Sequence, residues 1–126
     1  MESKLTIEQI AREDGRYDPR ALRFIYEGLG STISALKGSE VRDQSRHISG
    51  GELAKGLADL ASERWGRLAG LVLNLWGVHS TRDMGEIVYL MISNEWMTAR
   101  DTDRIEDFDN VFDFEERFER GYRFDF

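Results

Sequence analysis

Cysteine is absent from the 126 residues. That excludes a disulfide framework, a thiolate metal site and a cysteine nucleophile, and it fits a reducing cytoplasm. Proline occurs once, at Pro19, and histidine twice, at His47 and His79. Neither histidine has a second histidine three or four places on, so no helical zinc pair is written into the chain. No apolar run reaches the ~18–20 residues that a membrane helix requires. The longest apolar stretch, Leu68 to Ile92, is broken by Asn74, Gly77, His79 and the charges after Thr81. The opening MESKLTIEQIARED has no apolar h-region, so no signal peptide is expected. G-x-S-x-G, H-E-x-x-H and phosphate-loop glycine patterns are missing as well. The sequence therefore names no catalytic residue, no metal ligand set and no cofactor site, and the balance of features leans away from an enzyme.

Positive charge is scarce where a nucleic-acid binder would need it. The net charge is −7. Residues 95–126 hold eleven acids and five bases, whereas residues 1–94 hold thirteen acids and twelve bases. A near-neutral body with an acidic end does not attract phosphate backbones. The acidic run Asp101, Asp103, Asp107 and Asp109 does not make a calcium loop either. Counted from Asp101, Glu106 stands where the EF-hand needs glycine and Phe112 where it needs glutamate.

What is present is a helical grammar. Hydrophobic residues make up 40% of the chain, enough for a single globular domain over residues 1–126. Thr6-Ile7-Glu8-Gln9 reads as a capping box, and Gly15 ends that first helix. Asp18 caps a second helix with Pro19 at its first position. Its apolar stripe is Leu22, Ile25, Leu29, Ile33 and Leu36, with Phe24 and Tyr26 off the line. Gly28 and Gly30 inside it suggest close approach of a neighbouring helix. Lys37 to His47 is a charged loop. Ser49 to Glu52 is a second capping box, with Ile48 as a staple onto Leu53. The third helix carries Leu53, Leu57, Leu60 and Ala61 and runs to about Trp65. The tandem Gly50-Gly51 resembles an anion-binding turn but lacks the spacing of a phosphate loop.

The chain is organised around the next stretch. Leu68 to Trp76 is apolar nearly all round, which predicts a short helix buried on several sides. Trp76 to Thr81 reads as a tight helix–turn–helix corner. Ser80 or Thr81 then caps a fifth helix with Met84, Ile87, Val88, Met91 and Ile92 on its buried face and Glu86, Tyr89 and Glu95 outward. From Met97 onward the chain is polar, acidic and aromatic, and a loop or short strand is expected. Asp113 could cap a short last helix carrying Phe114 and Phe118. The tail from Gly121 to Phe126 alternates aromatic and polar residues, a strand-like period. The predicted fold is thus mostly α. It is a compact bundle of about five helices with a helix–turn–helix corner, and residues 95–126 form an aromatic C-terminal segment packed on the helices, its tail a candidate small β wing.

The motifs Tyr17-Asp18-Pro19, His47-Ile48-Ser49-Gly50 with Glu52-Leu53, and Ala69 to Tyr89 with its WG…STRDMGEIVY core resemble those of a family of small bacterial proteins of no assigned function. Glu106-Asp107-Phe108 and Phe112-Asp113-Phe114 also match. Met84 departs from the aromatic residue expected there. The resemblance implies a self-contained single domain and carries no activity.

These features are compatible with three functions. The first is a non-enzymatic protein-interaction module of the bacterial cytoplasm, with another protein as its partner and no membrane contact. The second is a winged-helix-like nucleic-acid binder whose basic surface would be assembled from Arg16, Arg20, Arg23, Arg42, Arg46 and Arg82. The third is a small-ligand binder or enzyme at the Trp76–Thr81 corner, using His47, Asn74, His79 and Glu86. The candidate interaction or pocket residues are His47, Trp76, His79, Arg82, Glu86, Tyr89, Phe112 and Phe118.

Overall fold

The computed structural model describes residues 4–39 and 48–119. The expectations for Arg42, Arg46, His47, the Leu36 side chain and the Gly121–Phe126 tail lie outside the described residues. Five α-helices succeed one another: α1 (Ile7–Asp14), α2 (Pro19–Ser39), α3 (Gly50–Trp65), α4 (Ala69–Leu75) and α5 (Thr81–Ser93). Single turns of tighter or wider helix occur at Gly66–Leu68, Ile105–Phe108 and Glu115–Glu119. No strand occurs among the described residues. Between Met97 and Asp113 the chain is loop with one 3-10 turn. The predicted mostly α bundle is what forms.

The helix boundaries reflect local chemistry. Thr6 accepts the Gln9 N–H while the Gln9 side chain accepts the Thr6 N–H, and Ser49 and Glu52 repeat that exchange at α3. Asp18 Oδ1 accepts the Arg20 N–H at 2.8 Å, so the acid caps α2 and Pro19 fills the position whose N–H has no partner. α2 continues to Ser39, beyond the predicted start of the loop at Lys37.

The core gathers Ile10, Leu22, Phe24 and Ile25 against Leu57, Leu73, Ile87 and Met91. Phe24, off the predicted stripe, is fully part of it. α2 and α3 cross closely because each offers a glycine to the other. A Cβ at Gly28 would overlap the Leu57 side chain, and one at Gly56 would overlap Thr32. Gly30, in contrast, faces open space.

α4 departs from expectation. Ala69, Gly70 and Leu73 are buried, but Leu68, Leu71 and Leu75 are 58%, 55% and 75% exposed. Those two sets lie on opposite sides of a helix with 3.6 residues per turn. Among the described residues, α4 packs against α3 and the Glu115–Glu119 turn, and these leave the leucine side uncovered.

Candidate functional site

The corner between α4 and α5 is a solid joint. Gly77 has φ 93°, the left-handed conformation. The Val78 N–H donates to Leu73 O and the Gly77 N–H to Asn74 O, the bond pair of a Schellman motif. A side chain at Gly77 would strike Arg16 O, because the corner rests on the α1–α2 connection, where the Asp18 N–H donates to Trp76 O at 3.0 Å. Asp83 organises the entrance to α5. It accepts the His79 N–H at 2.9 Å and the Tyr17 hydroxyl at 2.7 Å, while its own N–H donates to the Ser80 hydroxyl. Burial, and then the bond to the Asp83 carboxylate, push the Tyr17 phenol pKa well above its ordinary value.

The candidate residues named from the sequence fall in several places. Trp76 joins an aromatic cluster, tilted against Phe24 at 6.2 Å and edge-on to Trp65 at 5.2 Å between ring centroids. His79 is exposed, and its Nδ1 lies 2.6 Å from Asn74 Oδ1. Arg82 forms ion pairs with Glu86 at 3.0 Å and Asp109 at 3.0 Å, and Glu86 also takes Arg16 at 3.3 Å. Phe118 is core, and half-buried Phe112 and Phe114 meet its ring edge-on. His79, Arg82 and Phe112 meet at one polar cleft of about 430 Å³ beside the corner. That cleft does not reach Asn74 or Glu86, each of which is engaged elsewhere. Tyr89 lies apart from them, in the wall of a different groove.

The four described members of the basic set are neutralised locally. Arg16 pairs with Asp14 and Glu86, Arg20 with Asp18, Arg23 with Glu8 and Arg82 with Glu86 and Asp109. Each guanidinium thus already faces a carboxylate, and the Asp14 and Asp18 pKa values are lowered by their arginines in return. At the α3 N-terminus the first glycine is closely packed on the chain near residue 108. Gly50 abuts Phe108 and Asp107, where a Cβ would meet both at 3.0 Å. Among the described residues, no three His, Asp or Glu side chains gather as a metal site. No helix of the described residues is long and apolar enough to cross a membrane.

Two surfaces escaped sequence reasoning. One is the row Leu68, Leu71 and Leu75. Its spacing of three and four was visible, but so was an equal run of apolar residues on the other side. The second is a groove of about 510 Å³ between the C-terminal half of α2, the start of α3, the end of α5 and the loop 97–108. Its walls come from four separate segments, which no local pattern brings together. No protein-family model, curated protein or solved structure matches this chain.

Proposed function

We propose that the chain is a non-enzymatic protein-interaction module, acting in the bacterial cytoplasm, that docks an apolar segment of another protein on Leu68, Leu71 and Leu75. The observation that carries this reading is their exposure in one row on a surface otherwise rich in charge. Exposed Glu63, Arg64 and Arg67 lie just before the row, giving an apolar centre with a charged edge. Three leucines make up only part of the ~800 Å² that each partner contributes to a standard interface. A larger partner surface would therefore wrap the edge. The pairing of Arg16, Arg20, Arg23 and Arg82 with acids speaks against nucleic acid.

The test is affinity capture from nuclease-treated bacterial lysate with the wild-type chain and with Leu71→Asp as baits. Leu71 is exposed, so the variant should melt as the wild type does. A specific protein held by the wild type should be lost by roughly ten-fold or more, as for a hot-spot residue. Equal capture by both baits would remove the leucine row from the reading.

A further inference from the structure

We propose that the segment 109–119 is a clamp. Seated on α3 and α4, it keeps the first turn of α4 helical and so holds Leu68 and Leu71 in one row with Leu75. Its bearing on partner binding rests on the leucine-row reading above.

α4 has seven residues, about two turns. Helices shorter than ~12–15 residues hardly hold themselves together in water, so α4 is helical because it is packed. Different parts of the chain pack its two ends. The C-terminal end runs into the Gly77 corner, where the Val78 N–H donates to Leu73 O and the Asp18 N–H to Trp76 O. The N-terminal end follows the Gly66–Leu68 turn, and the Glu115–Glu119 turn packs against both that turn and α4. Leu75 therefore belongs to the fixed corner, whereas Leu68 and Leu71 belong to the end that the C-terminal segment holds.

The clamp is seated by a ring, a guanidinium and a backbone bond. The Phe118 ring is 1% exposed, and Phe112 and Phe114 meet it edge-on. Arg117 reaches α3, donating to Asp59 Oδ1 and to Ser62 Oγ at 3.1 Å each. At the head of the segment the Val111 N–H donates to the Thr81 hydroxyl at 3.2 Å. A segment with one wide helical turn and one fully buried ring opens at a lower free energy than the helices beneath it. Release uncovers the N-terminal end of α4, which then frays and takes two of the three leucines out of register. A partner that needs the whole row favours the seated clamp, and the seated clamp strengthens that partner's binding by the same factor.

The experiment measures amide hydrogen exchange in the full chain for the wild type, Phe118→Leu, Arg117→Ala and a control, Ile10→Val, which trims the core on α1. The Leu73 and Asn74 amides report the first turn of α4, because a helix bonds them to the carbonyls of Ala69 and Gly70. The Arg117 amide, bonded to Asp113 O, reports the clamp itself. In Phe118→Leu these three amides should exchange roughly ten-fold faster, while Val78 at the corner and Ile25 in α2 change far less. Arg117→Ala alters only a partly exposed side chain and leaves the core intact. It should move the same three amides in the same direction by a smaller factor. Ile10→Val should not single them out. Equal acceleration at all five amides in both clamp variants overturns the proposal. So does a fast Arg117 amide beside unchanged Leu73 and Asn74, which would mean that α4 stands without the clamp. No partner enters this measurement, so it can fail while Leu71→Asp still abolishes capture, and it can succeed where the leucine-row reading fails.

Discussion

The Tyr17 hydroxyl donates to Asp83 Oδ1 at 2.7 Å, joining residues 66 positions apart. Tyr17 is buried, so this bond locks the α1–α2 connection onto the first turn of α5. Tyr17→Phe should destabilise the chain by about 1.5–3 kcal/mol, the range for a hydrogen bond to a charged acceptor. Urea unfolding would measure it.

The same pair gives a pH dependence. The folded state holds the Tyr17 proton more tightly than the unfolded chain does, so its contribution is intact below the unfolded value of about 10 and is lost as pH rises past it. Wild-type stability should fall on going from pH 9 to pH 11, and Tyr17→Phe should fall less. Parallel curves for the two proteins would contradict the linkage.

Three glycines inside helices should answer differently to alanine. Gly30→Ala should stabilise by up to ~1 kcal/mol, since the site is open and alanine is the better helix former. Gly28→Ala and Gly85→Ala should destabilise by about 1–3 kcal/mol, because the new methyl group overlaps Leu57 in one and Phe108 in the other. Melting temperatures of the three variants would show the split in sign.

Thr81 is buried, donates to Phe108 O and accepts the Val111 N–H at 3.2 Å. Thr81→Val keeps the shape and strands both backbone groups. The expected loss is about 1–3 kcal/mol, and amide exchange around Val111 should accelerate before global unfolding.

Phe118→Ala should cost about 3–5 kcal/mol, as for a fully buried aromatic residue. Phe112→Ala, at a half-buried site, should cost clearly less. Denaturation midpoints that put the Phe112 loss ahead of the Phe118 loss would contradict this order of burial.

Much of this architecture could be read from the chain because its signals are local. The Thr6–Gln9 and Ser49–Glu52 exchanges, Gly15 and the Gly77 corner are each decided within about six residues. The Leu22–Ile25 and Ile87–Met91 stripes are decided by period alone. What could not be read depends on where elements land. Hydrophobicity all round α4 says that the helix is apolar, not that neighbours exist to cover Leu75. Tyr89 looked like an outward residue on α5 because the loop 97–108 that turns its surroundings into a groove is distant in register. Arg82 looked available to a ligand, but Asp109 approaches it from 27 positions away.

The Trp76–Gly77 corner bonds to Asp18 and abuts Arg16, while Tyr17 reaches Asp83. The N-terminal helix pair is thereby keyed into a socket that exists only once the chain near residue 80 has turned. Closing so large a loop costs entropy before any contact returns it, which slows the search for the native state. Neither the first forty residues nor the remainder holds a complete set of partners. A molecule divided between α2 and α3 should therefore yield two fragments that stay unstructured apart and regain structure only when mixed.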